Sequence, residues 1–373
     1  MRVLALLHEA FGGQGGIAQF NRDFLSAAAA GPTVDQVVVL LRHLPAPPGP
    51  LPDRILLHRL AAAGKIPFAL AVVQAALLGG GIDLVVCGHL RLLPLGRLAA
   101  RLARVPLLLL AYGIDVWEPP AGKRGLDGVD GVLSISEFTK GKLLRWAGIP
   151  AARIHVIPPA VDPARFGAGP RHQALVGRYR LAGKTVLLTL ARLAASERYK
   201  GIDEVLDCLP DLAARRPGLV YLVAGDGDDR PRLEAKARSL GVADRVIFCG
   251  RVAEAEKADH YRLADAFVMA GRGEGFGIVF LEAMACGVPV VGSALDGSRD
   301  ALRDGRLGLL VDPGDRTALA DAIATALAMP KGVPDGLDYF HVARFAERVQ
   351  TLLDSVRATP DESPGRRAST RGR

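Results

Sequence analysis

The feature that most constrains this chain is a rhythm that runs twice. Short apolar runs at residues 3–7, 34–41, 83–87, 106–111 and 131–135 alternate with longer amphipathic segments. Several of the runs are apolar at every position, as in Leu107 to Leu110, which suits parallel strands covered on both faces by crossover helices. The rhythm stops at Ile157-Pro-Pro-Ala-Val-Asp-Pro163 and the polar stretch that follows through Gly183, then resumes at 185–191, 220–224, 245–249, 266–269 and 288–291. A length of 373 residues exceeds what one core usually holds. The expectation is an α/β protein of two Rossmann-like, doubly wound domains, residues 1–165 and 166–338, facing a central cleft. A helix over 339–358 and a Pro, Ser and Arg-rich tail at 359–373, expected to be disordered, complete the chain.

Charge separates the two halves. Residues 1–165 carry 17 Lys and Arg against 11 Asp and Glu, whereas 166–358 carry 26 of each. An anionic partner is therefore expected for the N-terminal half, and Arg97, Arg101 and Arg104 recur at helical spacing within it. An anionic membrane surface touched peripherally is one such partner. Residues 66–78 are apolar but too short to span a bilayer, and they read as a buried helix. Residues 1–8 lack a basic leader and read as a first strand rather than a signal peptide. The four cysteines are far apart and lie in or near apolar runs, which fits a reducing, cytoplasmic setting. No C-x-x-C or H-E-x-x-H spacing is present, so no metal is expected.

Three glycine-bearing segments suggest chemistry. The first strand runs into Gly12-Gly-Gln-Gly-Gly16 ahead of a helix, a form that brings backbone N–H groups to a phosphate. Gly13-x-Gly15-x-x-Ala18 also satisfies a dinucleotide fingerprint, although Leu41, Arg42 and His43 stand where an NAD enzyme needs an acid. An NADP-dependent oxidoreductase using Arg42 is the competing class. Ala182-Gly-Lys-Thr185 precedes a strand instead of following one, so Lys184 reads as a solvated turn residue. Gly225-Asp-Gly-Asp-Asp229 reads as a turn whose acids suit the start of the next helix. The richest segment is Arg272-Gly-Glu-Gly-Phe-Gly-Ile-Val-Phe-Leu-Glu-Ala-Met-Ala-Cys-Gly-Val-Pro-Val-Val291. Glu274 precedes a helix whose first N–H groups lie near Gly275 to Ile278, and Glu282 sits inside it among apolar neighbours, where a carboxylate requires a hydroxyl or cationic partner.

Glu274 and Glu282 stand at the two ends of an E-x7-E motif, and the chain resembles the retaining nucleotide-sugar glycosyltransferases of family 4, of GT-B fold. The glycine loop at Gly12–Gly16, Arg192 with Lys200-Gly201, and Asp312-Pro313 are similar to further parts of that family's pattern. The resemblance implies hexosyl transfer from a nucleotide-sugar donor of GDP-mannose or UDP-glucose type to a glycan or lipid-linked acceptor in cell-envelope or exopolysaccharide synthesis, without metal. A GT-B epimerase shares the same fold. The resemblance also implies a catalytic set of Glu274, Arg192 and Lys200, with donor contacts from Gly15, Gly16, Arg251, Gly275, Phe276, Gly277, Ile278 and Glu282. Tyr112 stands where many members carry histidine, which makes it a candidate sugar contact. Nucleic acid is not among the implied partners.

Overall fold

The computed structural model describes residues 1–119 and 125–358. The tail at 359–373 lies outside the described residues. Seven parallel strands form the first sheet: β1 (Arg2–Leu7), β2 (Gln36–Leu41), β3 (Ile55–Leu57), β4 (Leu84–Cys87), β5 (Leu107–Ala111), β6 (Gly131–Ser134) and β7 (Ile154–Val156). Their spatial order is β3-β2-β1-β4-β5-β6-β7. Six more form the second: β8 (Thr185–Leu190), β9 (Leu219–Ala224), β10 (Val246–Gly250), β11 (Ala266–Met269), β12 (Val290–Ser293) and β13 (Leu309–Val311), in the order β10-β9-β8-β11-β12-β13. Each sheet starts at an inner strand, winds outward one way, and then winds the other. This leaves a topological switch between β1 and β4 and another between β8 and β11, where crevices open at the carboxyl ends of the strands.

Burial follows from the strand composition. β1, β2, β4 and β5 are almost wholly inaccessible, so both faces of the first sheet need cover. One face receives the helix Gly16–Ala30 and, beside it, the C-terminal helix Val342–Ala358. Phe20 meets Phe345 edge to face at 5.6 Å, and Gln350 Nε2 donates to Ala27 O at 2.5 Å. The helix Val342–Ala358 thus returns to the N-terminal half. The other face packs Phe68, Ala71 and Val72 of the helix Lys65–Leu78, and Ala99 and Ala100 of the helix Leu93–Ala103, against Leu4, Leu6, Val38 and Leu40.

One sequence expectation is corrected here. The helix Lys65–Leu78 is not buried: Ile66, Leu70, Leu77 and Leu78 are 58% or more exposed. It forms the outer layer of its face, and only its inner stripe has anything to pack against. Because the segment is apolar all round, its sequence periodicity marked no outward side.

Candidate active site

The switch point of the second sheet gathers the charged residues. After β8 the chain passes Arg192 and a 3-10 turn (Ala195–Lys200), then enters the helix Ile202–Arg215 through Gly201, which adopts φ 84°. A side chain at Gly201 would strike Ala270 O at 2.1 Å, so glycine permits the segment after β11 to lie directly on this turn. Arg192 bonds to Glu197, Lys200 Nζ lies 3.9 Å from Glu197 Oε2, and the same Nζ bonds Glu274 Oε2 at 3.1 Å. The result is a row of alternating charge. Burial opposes the charge on Lys200, but Glu274, Tyr199 and Glu197 outweigh it and raise the ammonium pKa, so this nearly enclosed lysine stays protonated. Arg192 remains largely exposed at 72%.

Glu274 is fixed through its backbone. Its N–H donates to Asp296 Oδ2 at 2.9 Å, and its carbonyl accepts from Gly297 N at 2.8 Å. Asp296 is fully buried, and that burial lifts its carboxyl to about 6. Phe276 packs edge to face on Phe340, and Gly277 caps the helix Ile278–Ala285 at φ 90°. The N–H groups of that helix's first turn lack intrahelical acceptors by the geometry of a helix start.

Glu282 lies deeper. It accepts from Tyr261 Oη at 2.7 Å and stands 3.7 Å from Lys257 Nζ, both on the helix Lys257–Leu263. Burial raises its pKa, with Lys257 and Tyr261 opposing. The hydroxyl and cationic partners that its apolar neighbours demanded are both present. Lys257 in turn meets Glu254, and Glu254 meets Arg165 at 2.5 Å, which reaches Gln19 on the helix behind the glycine loop. Tyr261, Lys257, Glu254 and Arg165 were not singled out in the sequence. The i, i+4 pair Lys257 and Tyr261 was the available signal.

The first sheet supplies the opposite wall. A Cβ on Gly16 would come 3.7 Å from Ile278 Cδ1, whereas one on Gly15 would meet nothing. Gly275 touches the turn at Tyr112 and Gly113 so closely that a Cβ would lie 2.5 Å from Tyr112 O. Ser136 Oγ donates to Gly275 O at 2.7 Å while accepting from Thr139 N. Asp300 accepts from the N–H groups of Glu137 and Phe138 and thereby caps a helix of the other half (Glu137–Leu144).

Of the expected donor contacts, Tyr112 has a buried hydroxyl and Arg251 an exposed side chain. The Tyr112 hydroxyl is not presented to a sugar: it is buried in the N-terminal core and donates to Asn21 Oδ1 at 2.5 Å, beside Phe20. A phenol is longer than imidazole, and its tip reaches past the cleft wall to the helix behind. Arg251 is exposed directly after β10, the edge strand two places from β8. Arg198 is taken by Asp229 at 2.8 Å. Asp226 and Asp228 point to different partners, Arg230 and the Ala195 N–H, and the described residues contain no cluster of three metal-ligating groups.

A family model for Glycosyltransferase Family 4 matches residues 15–165, and one for Glycosyl transferases group 1 matches residues 184–329. The chain belongs to glycosyltransferase family 4. Among curated relatives of this family 4 chain, the GDP-mannose-dependent alpha-(1-6)-phosphatidylinositol monomannoside mannosyltransferase of Mycobacterium tuberculosis is 38% identical over 54% of the chain and 53% of its own length. That of Mycolicibacterium smegmatis is 34% identical over 64% and 65%. The matched stretch thus spans about half to two thirds of these relatives. Among solved structures, Anabaena Alr3699/HepE in complex with UDP-glucose superposes with a TM-score of 0.75 at 22% identity, over 95% of this chain and 100% of that one. The lipopolysaccharide outer core galactosyltransferase WaaB gives 0.70 at 18%, over 95% and 99%. The family 4 chain accordingly has the GT-B fold. That assignment sets aside the oxidoreductase reading of Gly13-x-Gly15-x-x-Ala18.

Proposed function

We propose that the chain is a retaining hexosyltransferase that moves a sugar from a nucleotide-sugar donor to a glycan or lipid-linked acceptor. The observation that carries this reading is the Lys200–Glu274 pair at the second switch point, seated against Gly275 where the two halves meet. The chemical difficulty in such a transfer is departure of a diphosphate while positive charge grows at the anomeric carbon. Fixed cations and oriented N–H groups at the leaving group lower that barrier. Lys200 and Arg192 supply the cations, and the loop at Gly15–Gly16 with the turn at Gly277 and Ile278 supplies the N–H donors. Their present partner, Glu197, gives way to the diphosphate. Glu274 orients the donor sugar by its hydroxyls, and Glu282 holds the ribose. Retention follows from attack on the face the diphosphate leaves, with the departing phosphate accepting the acceptor's proton, so no side-chain nucleophile is assigned.

GDP-mannose is the first donor to test, since the mannosyltransferases above are named as dependent on it. The acceptor domain is the N-terminal one, which also contacts an anionic membrane peripherally. A thermal-shift panel of GDP, UDP and ADP with their sugars tests the donor assignment. A ligand at a hundred times its dissociation constant stabilises by ~2.7 kcal/mol, and no shift with any of them removes the reading. Turnover is expected to survive EDTA, because Lys200 and Arg192 already neutralise the diphosphate. Loss on chelation with recovery on Mg²⁺ would point instead to Asp226 and Asp228 as metal ligands.

A further inference from the structure

The switch point of the first sheet is as specialised as that of the second, and the proposed donor chemistry does not use it. A histidine follows each of four neighbouring strands at the carboxyl edge: His58 after β3, His43 after β2, His8 after β1 and His89 after β4. In the spatial order β3-β2-β1-β4 they form one row, and at ~4.8 Å per strand it extends over ~15 Å. Half of the chain's 8 histidines are in it. His8 stacks on His43 at 5.8 Å and meets His89 edge-on at 4.6 Å. Arginines accompany the row, with Arg42 before His43, Arg59 after His58 and Arg91 two residues past His89.

The state of these rings is visible. His89 Nδ1 accepts from Arg91 N at 3.0 Å, which places the proton of the neutral ring on Nε2 and makes that atom a donor. His8 Nε2 and His58 Nδ1 are buried and bond no described residue. Burial lowers the pKa of His8, and His43, Arg91 and Arg42 lower it further. Burial, then His8 and Arg91, bring His89 down to about 4. The charged and titratable groups facing His8 from the neighbouring strand ends are thus basic or imidazole. Glu9 follows His8 in the chain, and Cys87 lies beneath, its thiol on His89 O. An open cavity of about 540 Å³ adjoins the row, lined by residues 44–49 and Arg59.

The row ends beside the turn that carries Tyr112. A Cβ on Gly88, the residue before His89, would lie 2.8 Å from the Tyr112 hydroxyl, and Tyr112 O abuts Gly275. We propose that the row His58, His43, His8 and His89, with Arg42, Arg59 and Arg91, is an acceptor subsite that recognises a phosphate ester carried by the acceptor. Imidazole donors and guanidinium forks match an anionic, oxygen-rich group, and the adjoining carboxylate of Glu9 is turned towards Gly13. His89 donates as a neutral ring, since protonation would break its bond from Arg91 N. His8, whose pKa burial and the neighbouring arginines hold down, takes up charge when the phosphate offsets those arginines. Calling the bound phosphate the acceptor's rests on the transferase reading; the anion site itself does not.

The test is histidine-ring NMR on the full chain, with signals assigned by His8→Gln, His43→Gln, His58→Gln and His89→Gln. Sulfate is the first probe because its charge is fixed across the range, so any pH dependence belongs to the protein. Added sulfate is expected to shift the four rings and leave His155, His172, His260 and His341 in place. Its affinity is expected to weaken by up to about tenfold per pH unit between pH 6 and 8 for one proton taken up. Glycerol 3-phosphate and dihexanoylphosphatidylglycerol, compared on the same signals, separate a free phosphate monoester from a lipid headgroup as the source. Binding of either supports the subsite. Rings that ignore all three probes, or respond equally in an Arg42→Gln/Arg59→Gln/Arg91→Gln variant, would overturn it. Nucleotide binding measured on the same samples reports separately on the donor reading.

Discussion

Lys200 keeps its charge in a nearly enclosed position because two carboxylates and a phenol face it, and a diphosphate would inherit that preorganised cation. Lys200→Ala is expected to lower kcat/KM for the nucleotide-sugar by about a hundredfold, or ~3 kcal/mol, through the leaving group. Glu282→Ala is expected to lose turnover as well, through ribose binding, and to lower Tm because Tyr261 and Lys257 lose their partner. Steady-state kinetics with a melting curve separates the two, and near-normal kinetics for both variants would remove the donor-site assignment. Asp115 gives a pH prediction. Burial holds its carboxyl at about 7, against N–H groups of Asp115, Gly113 and Tyr112, and its Oδ2 has no hydrogen-bond partner among the described residues. A folded pKa above the unfolded value, near 3.9, means the protonated form is favoured by folding. The stability this group contributes is complete below pH 4 and is lost as pH rises through 7. Asp115→Asn should therefore gain on wild type in Tm as pH goes from 5 to 8. A constant difference across that range would show that the carboxylate is not buried as described.

At the scale of elements, the helix Glu137–Leu144 is the plainest link between the halves. Its first N–H groups are satisfied by Asp300 of the other domain, and its cap Ser136 also bonds Gly275 O. Losing an N-terminal cap costs ~1 kcal/mol. Asp300→Ala is expected to speed hydrogen exchange at residues 137–139 and to weaken donor binding a few-fold, because the same contacts press Gly275 against Tyr112. Unchanged exchange there would mean that solvent replaces the carboxylate without cost. This link was not legible in the sequence: a capping acid 163 residues away leaves no local pattern. The long apolar strands were legible, because burial on both faces writes an unbroken run. The three-residue strands β3, β7 and β13 were too short to show a period, and β3 follows a proline-rich loop. Glu274 and Glu282 stood out because glycines and apolar neighbours isolate them. Asp296, which holds Glu274 in place, did not, since an acid in an ordinary turn looks like any surface residue. Tyr112 shows the opposite failure: its position in the motif was readable, and the direction of its hydroxyl was set by Asn21.

The whole molecule has one side unlike the others. On the face of the first sheet away from the C-terminal helix, Ile66, Leu70, Leu77 and Leu78 project outward from the helix Lys65–Leu78, with Leu98 and Leu102 exposed on the neighbouring helix. Arg101 and Arg104 are exposed beside them, and Arg97 is half-buried. Residues 59–104 hold Arg59, Lys65, Arg91, Arg97, Arg101 and Arg104 against Asp83 alone. Among the described residues no helix is long and apolar enough to cross a membrane. An apolar stripe rimmed by cations suits the boundary between acyl chains and anionic headgroups. Helices in this sheet begin at the carboxyl edge of the strands, so the stripe starts at the cleft mouth, where a lipid-linked acceptor would enter. Each basic residue near an anionic bilayer contributes ~1 kcal/mol, and each inserted leucine up to ~2 kcal/mol. The two contributions differ in their response to salt, which screens the first and spares the second. Co-sedimentation with phosphatidylglycerol vesicles is therefore expected to fall only partly at high salt. Arg101→Glu/Arg104→Glu should abolish the salt-sensitive part, and Leu70→Gln/Leu77→Gln the remainder. Phosphatidylcholine vesicles should recover little of any form. Equal recovery from both lipids, or from all variants, would sink this docking face and leave the outward leucines without a partner of this kind.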